Sequence, residues 1–478
     1  MLSSKHITKI TVFLTALVLV LCVLAMVYSD NLARVTKSSA YAMEYEEKIF
    51  NTDEIVEINI IMDDEKWEEM LQNAMREVYY ECDVVVNGTT FQRVGIRPKG
   101  NTSLSSIAKE PNNNRYSFKL EFDQFVDGQT CFGLDKLVLN NSYADNTNMK
   151  EAIIYDMFQF LGTDASLYNY AKMSVNDEYW GVYLALEAVE ESFMLRNYGM
   201  GNGFLYKPDS MNFGGKAREQ GGEKGGNFPG MRGGSNLNYT DDNLDSYSSI
   251  WNAQVTDSSD ADHKRVVEAL KNVHGGTNIE KYIDVDNILK YMAVHNFAVN
   301  DDSLSGSMAH NYYLYEANGR INVLPWDYNL SLGGMHGGDS TSIINEPIDD
   351  LWRGTQLFDF VLENEEYKSR YHEYYNKLIN EYIYGGEFEK TYKRICLQID
   401  SLVKDDPNKM HTYEEFVTAI DIFYDAVMLR GASIKGQLDG TIPSTSEEQT
   451  ADSSSLIDAP HIDLSDLGQF MMGGFGRR

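Results

Sequence analysis

Basic side chains are scarce in this chain. Its 478 residues carry 41 Lys and Arg against 72 Asp and Glu, a formal net charge of −31. A surface that acidic repels phosphodiester backbones and anionic lipid headgroups, which argues against a nucleic-acid-binding role. It favours cationic partners, either metal ions or basic protein segments, and its plainer consequence is solubility. Cysteine is sparse too, with only Cys22, Cys82, Cys131 and Cys396. No CxxC pair occurs, and the wide spacing matches no zinc pattern. Three of the cysteines lie beyond the N-terminal apolar run, enough for one disulfide and one free thiol, although a fold of this length does not need the bridge. The glycines between 199 and 238 lack the Lys-Ser/Thr ending of a P-loop, and Trp326-Asp327 occurs once, without propeller spacing.

Only one long apolar run is present. Thr11–Tyr28 follows Lys5 and Lys9 and is long enough to cross most of a hydrocarbon core of roughly 30 Å. It exceeds a signal-peptide core of about 7–15 residues, so an uncleaved signal anchor is expected over 1–28, followed by a polar juxtamembrane linker over 29–50. The positive-inside rule puts the short N-terminus in the cytoplasm and the rest of the chain outside, with Arg34 and Lys37 on the other flank working against that orientation.

From Ile55 onward the chain is strand-rich. IVEINIIM, VYYECDVVV, FQRVGIRPKG, YSFKLEF and KLVLN read as strands, with a hairpin turn at Asn87-Gly88. MKEAIIYDMFQFLG reads as a largely buried helix ended by Gly162. YAKMSVNDEYWGVYLALE is a second hairpin, turning at Asn176-Asp177. The Gly/Met-rich stretch 199–238 reads as a mobile insert, since glycine at that density buries too little surface. Helical periodicity follows, interrupted by a strand pair around Asn318-Gly319, and the polar 438–478 stretch reads as a disordered tail.

Phosphoryl transfer needs a cation over the phosphates, carboxylates for a divalent metal and a carboxylate facing the incoming hydroxyl. Asp327 in LPWDYN follows an apolar strand and is placed to hold Mg²⁺; its plainer reading is a turn residue. Asp302 ends HNFAVNDD, and His310-Asn311 follows at the entry to the next strand. His310 reads as a structural hydrogen-bonding residue. Lys119 in YSFKLEF sits on a strand face with Ser117 and Glu121, and Glu151 is its candidate partner; alone it reads as an edge-strand lysine. Arg97 and Lys99 in RPKGNTS bring positive charge and backbone N–H groups to one turn, suited to a phosphate or to a plain hairpin loop.

RPKGNTS, YSFKLEF, VNDEYWGVYLALE, NDDS with HNYYLY, and PWDYN occur in that order. Together they resemble the CotH family of spore-coat proteins, atypical secretory-type protein kinases, over roughly residues 55–435. The resemblance implies ATP, a divalent metal (Mg²⁺ or Mn²⁺) and Ser/Thr phosphorylation of coat or surface proteins. Matched by position, Asp302 becomes the catalytic base, Asp327 with Asn311 holds metal, and Lys119 with Glu151 binds nucleotide.

The expected architecture is α+β and two-lobed, protein-kinase-like, with a β-rich N-lobe and a mostly helical C-lobe over 51–437, behind one transmembrane helix. The expected function is an ATP- and metal-dependent Ser/Thr kinase, membrane-anchored with its domain extracytoplasmic, acting on a Ser-rich, basic protein substrate. The alternative is a non-catalytic, membrane-anchored coat or surface scaffold that keeps the fold.

Overall fold

The computed structural model describes Thr15 and residues 42–470, apart from 112, 200–202, 209–234, 307–308, 336–338 and 351–354. Ten strands fall into two sheets. Seven form a closed barrel: β1 Val56–Ile61, β2 Tyr80–Val86, β3 Thr89–Lys99, β4 Ser117–Glu121, β5 Lys136–Asn140, β6 Tyr168–Val175 and β7 Glu178–Glu187, in the order β1-β2-β3-β4-β5-β7-β6. All neighbours are antiparallel except β1 and β6, whose parallel pairing from Val56↔Ala171 to Ile60↔Val175 closes the ring. The other three, β8 Phe204–Tyr206, β9 Tyr312–Ala317 and β10 Arg320–Pro325, form a small antiparallel sheet.

Local chemistry sets the hairpins. Asn87-Gly88, Asn176-Asp177 and Asn318-Gly319 all have positive φ at both positions, the two-residue turn whose twist matches antiparallel strands. Alternation then sorts the faces. Val56, Ile58 and Ile60 of β1 point inward with Ile96, Phe118, Leu120, Leu139 and Met173, filling the barrel. The outer face of β5, β6 and β7 is apolar as well. Val138, Tyr168, Tyr170, Leu184 and Leu186 pack under the buried Lys150–Leu161 helix in one continuous core with the helices Val285–Ala298, Glu365–Lys377 and Tyr413–Asp439.

This architecture corrects the expected two-lobed kinase-like fold. The order of strands followed by helices is as the sequence implies. However, β1 returns to pair with β6, so the sheet shuts into a barrel, and the β6–β7 hairpin forms part of the barrel wall. That closure rests on a parallel pair joining residues more than a hundred positions apart, which no local pattern encodes. The expected transmembrane stretch 11–28, Thr15 apart, lies outside the described residues, and among those no helix is long and apolar enough to cross a membrane. Cys82, Cys131 and Cys396 are free thiols, so the possible disulfide does not form among them. Of the insert, 209–234 lies outside the described residues, while Phe204–Tyr206 forms β8. The tail is not loose up to 470: the last long helix runs to Asp439, and Ala459, Ile462, Leu464 and Leu467 are buried against the body.

Candidate functional site

A cleft of about 520 Å³ opens where the ends of β3 and β5 meet the small sheet, and Lys99, Glu151, Asp302, Asn311 and Asp327 all line it. Each arrives from a different element. Lys99 ends β3, and Gly100 at φ 125 turns the chain away into the short helix Thr102–Ile107. Glu151 lies in the first turn of the Lys150–Leu161 helix, 4% exposed. Asp302 follows the Val285–Ala298 helix, which Val299 ends at φ 47, and Asp327 follows β10 at φ 63. A left-handed backbone at a non-glycine residue costs on the order of 1 kcal/mol or more. Here Asn300 offsets it by donating Nδ2–H to the Asp327 carbonyl at 3.0 Å.

Asn140, at the end of β5, joins the cation to the acid. Lys99 Nζ donates to Asn140 Oδ1 at 3.1 Å, and Asn140 Nδ2 donates to Glu151 Oε2 at 2.9 Å. The Tyr328 backbone N–H reaches Glu151 Oε1 at 3.5 Å. Burial pushes the Glu151 carboxyl up to about 8, and the negative charge of Asp327 adds to the effect. Burial likewise raises Asp327, with Lys99 opposing it, and lowers Lys99 to about 8. Asp302 is held from both sides. His310 Nε2 lies 2.7 Å from its Oδ1, and Asn311 Nδ2 donates to its Oδ2 at 3.0 Å and to its carbonyl at 2.7 Å. The loop carrying Asp302 is tight: a Cβ on Gly306 would stand 1.7 Å from the Asp301 carbonyl oxygen.

The donor set fits a divalent cation of Mg²⁺ type. Glu151 and Asp327 disfavour each other's charge and are stabilised by such an ion, and Mg²⁺ takes one or two carboxylates and leaves its other positions to water and phosphate oxygens. Among the described residues no group of three or more His, Cys, Asp or Glu side chains has metal-holding geometry, so what is present is a carboxylate pair and not an all-protein cage.

Two expected residues stand elsewhere. Lys119 pairs with Glu190, which also pairs with Lys136, rather than with Glu151. Arg97 bonds Glu77 at 2.5 Å and lies over the Tyr79 ring. The register explains the difference. Arg97 is opposite Lys119, whereas Lys99 is opposite Ser117 at the end of the ladder, where the cleft begins. Lys99 is thus the strand lysine beside Glu151. Asn140, Tyr143, Met335 and Phe470 also line the cleft, and sequence reasoning passed over them. Asn140, the polar residue that ends the apolar run Leu137–Leu139, carried a readable signal; Phe470 carried none.

Fold and site together define a barrel-and-helix domain with one acidic, lysine-bearing cleft. A family model described as "CotH kinase protein" matches residues 96–434, and the chain belongs to that family. It is also similar to the inner spore coat protein H of Bacillus subtilis (strain 168), with 23% identity over 316 residues, which cover 66% of this chain and 81% of that protein.

Proposed function

We propose that this chain is an ATP-dependent protein kinase, requiring Mg²⁺ or Mn²⁺, that phosphorylates Ser and Thr hydroxyls of coat or cell-surface proteins. The observation that carries this reading is that Asp302 and Asp327, 25 positions apart in sequence, line one cleft with Lys99 and Glu151. The family's description and the name of the Bacillus relative support the reaction class and the coat setting. The acidic surface suits a basic, Ser-rich acceptor.

The residues divide the work. Lys99, steered by Asn140, binds phosphate oxygens. Asp327 and Glu151 are the residues that would hold the ion, which when bound would neutralise charge on the phosphates. Asp302, fixed by His310 and Asn311, takes the hydroxyl proton as the acceptor oxygen bonds to the γ-phosphorus and the bond to the β-phosphate oxygen breaks, releasing ADP. Each Asp302 oxygen keeps a second lone pair after these hydrogen bonds, so the proton has a place to go. The test is transfer from γ-labelled ATP to a basic Ser-rich protein, wild type beside Asp327→Asn. Labelling by wild type alone is expected. A folded Asp327→Asn protein with undiminished labelling overturns the reading. If Mg-ATP gives no thermal stabilisation of the wild type, the non-catalytic scaffold stands instead.

A further inference from the structure

Trp326 has two lysines over its indole. Lys99 Nζ lies 5.7 Å from the ring centroid and Lys207 Nζ lies 5.3 Å from it. Lys207 is also 5.3 Å from the Tyr313 ring, which meets Trp326 edge-on at 5.5 Å. The small sheet makes this cluster. β8 pairs with β9 through Tyr206↔Leu314, so the residue after Tyr206 is carried to the level of Tyr313. β9 pairs with β10 through Tyr312↔Pro325, which sets Trp326 and Asp327 at the same end. The backbone of Lys207 is pinned there by its N–H bond to the Ala253 carbonyl at 2.8 Å.

The two ammonium groups share a second property. Among the described residues neither forms an ion pair, although both act on the charge of Asp327. Several other half-buried cations are matched to acids, as in Arg196–Glu187, Arg265–Glu316 and Lys136–Glu190, while Arg394 is held by the Thr52 carbonyl, the Gln398 amide oxygen and the Tyr168 hydroxyl. In this acid-rich chain, a half-buried lysine whose ammonium lies over aromatic faces with no carboxylate at ion-pair distance is positioned for an anion from outside.

We propose that Lys207 is a second phosphate-binding cation which, with Lys99 at the same Trp326 indole, forms a cradle for the polyphosphate of the ligand beside Asp327. The proposal rests on the nucleotide reading above and adds to it a residue and a selectivity. The cradle favours ligands by their number of phosphates, because a point charge on a flexible stem reads charge and not base identity.

The experiment is calorimetric titration of the full chain with Mg-ATP, Mg-ADP and AMP, comparing wild type, Lys207→Met and Lys207→Arg, with melting of each unliganded protein. Lys207→Met is expected to weaken Mg-ATP roughly tenfold, Mg-ADP less and AMP least, the loss of one charge-assisted contact. Lys207→Arg should recover most of the affinity, and the unliganded melting temperatures should coincide. Wild-type affinity for Mg-ATP in a folded Lys207→Met protein overturns the proposal and leaves the nucleotide reading standing. Equal losses for ATP and AMP alongside a lowered melting temperature make Lys207 structural and also overturn it. A wild type that binds none of the three ligands removes both the proposal and the reading beneath it.

Discussion

Asn311 donates from one amide nitrogen to two atoms of Asp302, the backbone carbonyl at 2.7 Å and the carboxylate at 3.0 Å. The residue expected to help hold metal therefore orients the expected base. Its own backbone is left-handed, φ 56, a conformation that asparagine tolerates better than most residues.

Replacing Asn311 with Ala removes both bonds and keeps the strained backbone. The expected stability loss is about 1–3 kcal/mol, read from denaturant melts. Phosphate transfer should fall further than stability, by about 10–100-fold, because Asp302 would lose its direction. Asn311→Asp should be worse than Asn311→Ala, since it sets a like charge against Asp302. Transfer by Asn311→Ala at the wild-type rate would separate the pair from the chemistry.

A buried imidazole joins the two aspartate-bearing segments. His295 Nδ1 lies 2.9 Å from the Tyr328 hydroxyl, and Nε2 lies 2.8 Å from the Ser305 hydroxyl. Burial drives its pKa down from 6.5 to about 3. A depressed histidine favours the folded state above its unfolded pKa, and that advantage is lost as pH falls from about 6.5 towards 3. The wild type should lose up to a few kcal/mol over that window. His295→Gln, which cannot be protonated there, should show a flatter profile and be less stable at pH 7. Parallel stability–pH curves for the two proteins would show that His295 is not the titrating group.

Much of the site was legible because its residues punctuate strongly patterned elements. Asp302 and Asp327 follow the end of an apolar helix or strand and Asn311 stands just before one begins, and a polar residue at such an end is exposed to whatever meets it there. The lysine was misplaced for a reason of register. Lys99 and Lys119 both end or alternate along outward strand faces, and only the cross-strand pairing tells which of them stands at the rim. The barrel was hidden because its closing contact is parallel and long-range. The packed C-terminal segment was hidden because its apolar residues are too few and too irregularly spaced to show a period.

That segment lies beyond the family-matched region and reaches the cleft. Leu467 accepts from the Asn146 backbone N–H at 3.0 Å, and the Phe470 N–H bonds the Gly334 carbonyl at 2.8 Å. Ending the chain after residue 455 strips four buried apolar side chains, Ala459, Ile462, Leu464 and Leu467, from the body. The expected loss is about 5 kcal/mol as an upper estimate, measured by urea unfolding. Transfer should fall with it, because the loop from Asp327 to Met335 loses its outer support. A truncated protein as stable and as active as the full chain would show that the segment only lies on the surface.

Lys99 and Lys119 give the sharpest contrast. They stand on adjacent antiparallel strands, two register positions apart, and differ in what surrounds them. Lys119 belongs to a network with Glu190, Lys136 and Glu121 on the barrel's outer face. Its removal leaves Glu190 with Lys136, so Lys119→Met should change stability by about 1 kcal/mol or less and leave transfer intact. Lys99 has an amide for a partner and the carboxylates of Asp327 and Glu151 nearby. Removing it leaves Glu151 and Asp327 facing each other with less compensating charge, which raises their demand for protons or for a metal ion. Lys99→Met should therefore abolish transfer and weaken Mg-ATP binding, while Mg²⁺ alone still raises the melting temperature. Should Lys119→Met be the inactive protein and Lys99→Met the active one, the phosphate site would lie on the outer wall of the barrel and not in this cleft.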